Sequence, residues 1–137
     1  MLLKCGIGVI IVCLILAFAL ISCTSNLITI TDAKTAGGID DRFMPVQATN
    51  VFPTGTKNVY CWFQWRNAKV GTKLVAKWHY ITDNIHILDY GFTIPRSEGS
   101  GGISLSMPEE KTLPAGLYKV DLTLGKYKLK TLSFRVQ

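Results

Sequence analysis

From Met44 onward, apolar and polar residues alternate in short runs broken by proline, glycine and an Asp-Asn step, and no segment repeats its apolar positions at helical spacing. Runs of this kind, rich in β-branched and aromatic residues, predict strands. Seven are expected: Met44–Phe52, Asn58–Arg66, Lys73–Thr82, Ile85–Ile94, Ile103–Met107, Leu117–Leu124 and Tyr127–Val136. Pro53 and Gly55 end the first, and Asp83-Asn84 reads as a tight two-residue turn between the third and fourth. Gly125-Lys126 suits a type II′ hairpin between the last two. The stretch "RSEGSGG" after Pro95 reads as a flexible loop. Alternation then assigns faces: Val59, Cys61, Phe63 and Trp65 share one, and Leu74, Ala76, Trp78 and Tyr80 share another. Tyr118, Val120, Leu122 and Leu124 face one way on the sixth strand, and Leu132, Phe134 and Val136 close the last. Cys61, Trp78, Tyr118 and Phe134 are therefore expected in the core. Short strands at this density predict an all-β fold, a sandwich of about seven antiparallel strands over residues 43–137.

The first 42 residues follow another pattern. "MLLK" is a weakly basic start, and residues 5–22, "CGIGVIIVCLILAFALIS", carry no charge. A basic start, an apolar middle and a small residue before the cut make a secretory signal. Its end, Leu20-Ile21-Ser22-Cys23, resembles the lipobox of bacterial lipoproteins. That resemblance implies a diacylglycerol on Cys23, cleavage before it, and an anchor of two or three acyl chains that holds essentially permanently. The alternative is an uncleaved transmembrane helix, because the uncharged run reaches the threshold of ~18 apolar residues for spanning. Either way the body lies outside the cytoplasm. Thr24, rather than Asp, follows the cysteine, which by analogy with lipoprotein sorting favours the outer membrane. Residues 24–42, "TSNLITITDAKTAGGIDDR", read as a flexible tether in which "LITIT" is a candidate edge strand. The expected division is a signal at 1–22, the lipidated cysteine and tether at 23–42, and the sandwich at 43–137.

Composition changes this picture little. The 137 residues carry a net charge of +6 and are 48% hydrophobic, with much of the apolar share in the leader. Removing residues 1–22 takes away one charge, Lys4, and leaves a chain long enough for a single core without staples. Of four cysteines only Cys61 lies in the body, which excludes an intramolecular disulfide there and a zinc site built on cysteines.

Cys61 on the second expected strand and Trp78 on the third stand where immunoglobulin-like domains place their first cysteine and core tryptophan. "LPAGLYKVDL" resembles the turn into strand F of such domains, with Tyr118 in the tyrosine-corner position and Val120 where the partner cysteine is expected. The resemblance implies a disulfide-free immunoglobulin-like sandwich in which Cys61 is a small buried hydrophobe. The stretches "DDRFMPVQATNVFPTGTKNVYCWFQWRNAKVGTKLVAKWHY" and "LPAGLYKVDLTLGKYKLKTLSFRV" are also similar to small bacterial exported domains, often lipoproteins, with a W-x-Y strand and a terminal F-x-V. Fold and location follow from that likeness, and no catalytic residue does.

Four groups of residues are candidates for chemistry. His79, Asp83, His86 and Asp89 cluster in "HYITDNIHILD"; across a two-residue turn His86 falls opposite Ile81, with His79 diagonal on the same face. Two imidazoles so placed either share a metal or are plain surface residues of a hairpin. The sole body cysteine sits at a core position where a thiol is inert, and the pairs Asp40-Asp41 and Glu109-Glu110 are loop neighbours. No enzyme activity and no cofactor are expected. "EGSGG" opens no helix and is not a phosphate cradle.

Lys73 and Lys77 on the third strand, and Lys126, Lys128 and Lys130 alternating on the last, either protect sheet edges or contact lipid headgroups or acidic glycans. Tyr60 and Trp62 alternate away from Phe63 and Trp65, either as an exposed platform for sugar or protein or packed beneath the N-terminal segment. Nucleic acid is not an expected partner. The reading is an exported, membrane-anchored, non-catalytic binding or structural subunit that docks an envelope protein. A polysaccharide-binding module using Tyr60, Trp62 and the lysines is the alternative, and a metal-dependent enzyme at His79 and His86 the third.

Overall fold

Nine strands run through the described part of the chain: β1 (Thr29–Ile39), β2 (Pro45–Ala48), β3 (Val51–Phe52), β4 (Asn58–Arg66), β5 (Lys73–Tyr80), β6 (Ile85–Thr93), β7 (Gly99–Ser106), β8 (Gly116–Leu124) and β9 (Tyr127–Val136). The computed structural model describes residues 27–137, so the signal segment 1–22 and Cys23 lie outside the described residues. Within those residues no helix is long and apolar enough to cross a membrane. A four-stranded sheet, β2-β1-β4-β7, faces a five-stranded one, β3-β9-β8-β5-β6. Neighbours are antiparallel except β3, which joins β9 in parallel through Val51 and Phe52.

The core forms where the predicted apolar faces meet. Val59, Cys61, Phe63 and Trp65 from β4, with Ile103 and Leu105 from β7, pack against Leu74, Ala76, Trp78, Val120, Leu122, Phe134 and Val136 from the other sheet. Tyr118 stacks flat on Phe134 with ring centroids 4.8 Å apart, and Trp78 meets the same phenyl ring nearly edge-on. The Tyr118 hydroxyl donates to the Pro114 carbonyl, the bond expected of a tyrosine corner. Burial, followed by the charge of Tyr80, pushes that phenol up to about 12. Burial alone pushes the Cys61 thiol up to about 12, which leaves it protonated and unreactive.

Three expectations are corrected. Residues 29–39, assigned to the tether with an edge strand only at "LITIT", are a long strand inside the first sheet, between β2 and β4 in strand order. Register runs from Thr29 opposite Arg66 to Ala36 opposite Tyr60. Backbone pairing with β4 over Thr29–Ala36 and with β2 over Ala36–Ile39 holds β1, and its small residues Ala33 and Thr35 stand opposite Phe63 and Cys61.

The single strand expected at 44–52 is two. β2 lies in one sheet and β3 in the other, and Thr49-Asn50 carries the chain across, held by paired bonds between Thr35 and Thr49. Finally, the glycine-rich loop is the first half of β7, whose Gly99, Gly101 and Gly102 pair with β4. Glycine is required there by packing: a Cβ on Gly101 would stand 2.8 Å from the Phe92 ring, and one on Gly102 would stand 2.1 Å from Ile39 Cδ1.

Candidate functional site

The outer face of the four-stranded sheet carries Trp62, and the β1–β2 hairpin covers it. Asp40 builds the hairpin tip by accepting the amides of Arg42 and Met44 on its carboxylate, while the Phe43 amide donates to its carbonyl. Phe43 consequently adopts a φ of 58°. That conformation aims its carbonyl at the sheet, where it accepts both Trp62 Nε1 (2.6 Å) and Ser100 Oγ (2.9 Å). Trp62 is 2% exposed, and Lys34 Nζ lies 5.9 Å from its ring. The indole is therefore no sugar platform: its face is closed by the hairpin, and only Tyr60 beside it is partly open.

The same hairpin creates a cleft that sequence reasoning missed. Ile39 and Phe43 on one side, Phe92, Pro95 and Arg96 on the other, and Ser100 to Gly102 at the base enclose about 410 Å³. Phe43 presents its ring to solvent, 53% exposed, with Met44 and Val46 exposed beyond it. Among the described residues β7 pairs with β4 alone, so its other edge is open. That edge, "GSGGISLS", bears neither lysine nor proline, the usual guards against strand pairing. No sequence signal marked the site, because Phe43 stands at the boundary between the apparent tether and the first expected strand, and the cleft exists only once the hairpin folds back.

The histidines come together differently from the expectation. The β5–β6 turn has four residues, Ile81 to Asn84, closed by Asn84 N–H donating to Ile81 O. Asn84 takes a φ of 52°. A register shift opposite Trp78/His79 then sets His79 directly opposite His86. Their rings meet edge to face at 5.1 Å, and His86 Nε2 donates to Asp89 Oδ1 at 2.7 Å. His86 Nε2 is thus engaged by the Asp89 carboxylate, and Asp83 stays in the turn. No group of three or more His, Cys, Asp and Glu side chains able to hold a metal ion occurs among the described residues.

The lysines do not form one stripe. Lys128 and Lys119 both stand 3.6 Å from the buried carboxylate of Asp121, which also accepts the Thr131 hydroxyl at 2.6 Å. Burial alone would raise the Asp121 carboxyl, but the Thr131 bond and the two lysines outweigh it and hold it below the usual carboxylate range. Lys77 sits on the same sheet face, beside Asp121 and Asp89 in register. A register shift at the β8–β9 pairing places Lys128 opposite Thr123 and Lys130 opposite Leu122, so their alternation is broken. Lys126 occupies the hairpin turn, its Nζ 5.5 Å from the Tyr127 ring, and Lys73 opens β5.

No protein-family model matches the chain, and no curated protein matches it significantly. Among solved structures it is similar to an immunoglobulin-like protein from Pseudomonas aeruginosa, with a TM-score of 0.59 at 13% identity over 83% of this chain and 99% of that one. An alkylpurine DNA glycosylase from Pseudomonas fluorescens, bound to DNA containing an abasic-site analogue, aligns at TM-score 0.47 and 10% identity over 80% of this chain and 30% of that one, a likeness too weak to carry meaning. The fold is an immunoglobulin-like β-sandwich, with no disulfide among the described residues.

Proposed function

We propose that this chain is an exported lipoprotein, anchored through Cys23 at the cell envelope, and that its sandwich is a non-catalytic subunit that docks an envelope protein. One observation carries the docking half of the reading: an apolar cleft lined by Ile39, Phe43 and Phe92 lies against the unguarded edge of β7. An extended segment of a partner can add to such an edge through main-chain bonds while its apolar side chains enter the cleft. What supports the anchoring half is the lipobox-like Leu20-Ile21-Ser22-Cys23, and on this reading the domain would sit at the outer membrane or elsewhere in the envelope. Against a glycan platform on Tyr60 and Trp62 stands the burial of Trp62, 2% exposed with its indole N–H on the Phe43 carbonyl, which leaves Tyr60 alone partly open.

Gentle detergent extraction of the tagged protein, followed by mass spectrometry, tests both halves. A stoichiometric protein partner is expected with the native chain and is expected to disappear with Phe43→Ser, whose exposed ring contributes nothing to the main core. Recovery of the same complex from Phe43→Ser removes the cleft from the reading. Cys23→Ala is expected to lose processing or membrane association; a processed, membrane-bound variant refutes the lipid anchor.

A further inference from the structure

The two ends of the sandwich differ in charge. Where β1 begins, three connections meet it: residues 67–72 between β4 and β5, residues 94–98 between β6 and β7, and the Gly125-Lys126 turn. The first two are laced together by Ala68 N–H donating to Ser97 O and Gly71 N–H to Ile94 O. This end exposes Arg66, Lys69, Lys73, Arg96 and Lys126 against a single carboxylate, Glu98. None of those five cations lies within ion-pair distance of a carboxylate among the described residues. At the opposite end Asp83, Glu109 and Glu110 outnumber Lys57 and Lys111, and Lys57 is paired with Glu110.

The cationic end is also apolar at its tips. Val70, at the apex of the β4–β5 loop, is the most exposed large apolar side chain among the described residues at 64%. Gly71 beside it takes a φ of 89°, which turns the loop at this point and leaves the valine proud of the surface. Leu27 and Tyr127 are exposed at the same end. Lysines flanking a protruding aliphatic residue suit the boundary between headgroups and acyl chains, where the cations meet phosphate and the apolar tip enters.

The path of the chain supplies the rest. With β1 a strand instead of a tether, only residues 24–26 separate Cys23 from Leu27, a reach of at most ~14 Å. We infer that the end of the sandwich bearing Val70, Lys69, Arg66, Arg96 and Lys126 docks onto the anionic phospholipid surface to which the chain is anchored, fixing the domain's orientation with the β7 edge standing upright from the membrane. This rests on the anchoring at Cys23 proposed above; the occupant is phospholipid because a linker so short holds this end at the headgroups and because the surface carries unpaired positive charge.

The test uses the full chain, purified in mild detergent and reconstituted into vesicles of phosphatidylcholine alone or with 30% phosphatidylglycerol. Val70→Trp provides a reporter at the loop tip, read as the difference from the native chain in quenching by brominated lipid; Glu109→Trp is the control at the far end. Quenching of Val70→Trp is expected in phosphatidylglycerol vesicles, weakened at high salt and absent from Glu109→Trp. Each basic residue near such a surface contributes roughly fivefold to the docked population. Lys69→Ala with Lys126→Ala should therefore lower the docked-to-free ratio by about 25-fold.

Protein that stays with the vesicles but quenches equally at both reporters refutes the docking and leaves the anchor standing. Protein recovered free of vesicles of either composition refutes the anchor, and the docking with it. A Val70→Trp emission that responds to soluble dextran sulfate and not to phosphatidylglycerol assigns the surface to acidic polysaccharide and overturns the proposal. Both reporters replace exposed loop residues outside the core, so their folding is checked by an unchanged urea midpoint.

Discussion

Gly102→Ala probes the hairpin that closes over Trp62. The backbone of Gly102 is not in the left-handed region, so alanine alone should favour the strand by about 0.5–1 kcal/mol. Its Cβ, however, would stand 2.1 Å from Ile39 Cδ1 and 3.1 Å from the Cys61 carbonyl oxygen. Ile39 must then swing out of its place, an overpacking cost of about 1–3 kcal/mol. The net expectation is a loss of about 1–2 kcal/mol, which combines these two opposing effects. Ile39→Ala alone removes a half-buried side chain and costs a similar amount, below the range for full burial. In the double variant the principal clash is gone, so the two costs do not add, and the coupling should reach about 1–2 kcal/mol.

Urea titration of the four proteins supplies the cycle. Indole emission supplies a second reading, because a lifted hairpin breaks the bond from Trp62 Nε1 to the Phe43 carbonyl and lets water reach the ring. A red shift is expected in Gly102→Ala and its relief in the double variant. Costs that add within about 0.5 kcal/mol, with unchanged emission, would refute the packing of Ile39 on β7.

Three further outcomes are expected. Trp78→Ala should cost about 3–5 kcal/mol as a large-to-small core change, enough to threaten a domain of this size. Trp78→Phe should cost distinctly less, because it also removes an indole N–H that is buried without an acceptor; equal urea midpoints for the two would contradict this. The Asp121 carboxyl is held low, so its stabilisation is complete above the ordinary carboxylate range and lost as pH falls through the depressed value. The difference in urea midpoint between native protein and Asp121→Asn should therefore be constant near pH 7 and shrink below about pH 4, and a gap that widens with acid would reverse the sign. Cys61 should resist thiol reagents at pH 8 until denaturant is added, as read by mass spectrometry of the peptide that holds it; prompt labelling in the native state would place it outside the core.

Alternation located the strands whose two faces differ. β4, β5, β8 and β9 lie where "NVYCWFQWR", "KLVAKWHY", "LYKVDLTL" and "YKLKTLSFRV" place them, and Cys61, Trp78, Tyr118 and Phe134 are in the core. The Gly125-Lys126 turn also agrees, with Gly125 at a φ of 56° and Leu124 opposite Tyr127. What stayed hidden is what tertiary contact creates. β1, "TITDAKTAGGI", is held by pairing with β4 along its first part and with β2 along its last, and its small residues give no hydrophobic period. The glycines of β7 resemble a loop because the groups that require them, Phe92 and Ile39, come from elsewhere in the chain. Trp62 followed the rule for an outward residue and is still buried, since a hairpin whose Phe43 lies 19 residues upstream folds over it. The His79–His86 pairing shifted because the turn is longer than its Asp-Asn signal, and a bulge restores the inward rows on either side.

The placement of β1 has a mechanical consequence. A pull on Leu27 runs along the strand axis and strains the hydrogen bonds between Thr29–Ala36 and Tyr60–Arg66 side by side instead of opening them in succession. β4 takes that load at the middle of its sheet and passes it to the aromatic rows beneath. Tension between the start of the chain and anything gripping β7 would thus be borne in shear, the direction in which a ladder of hydrogen bonds yields last.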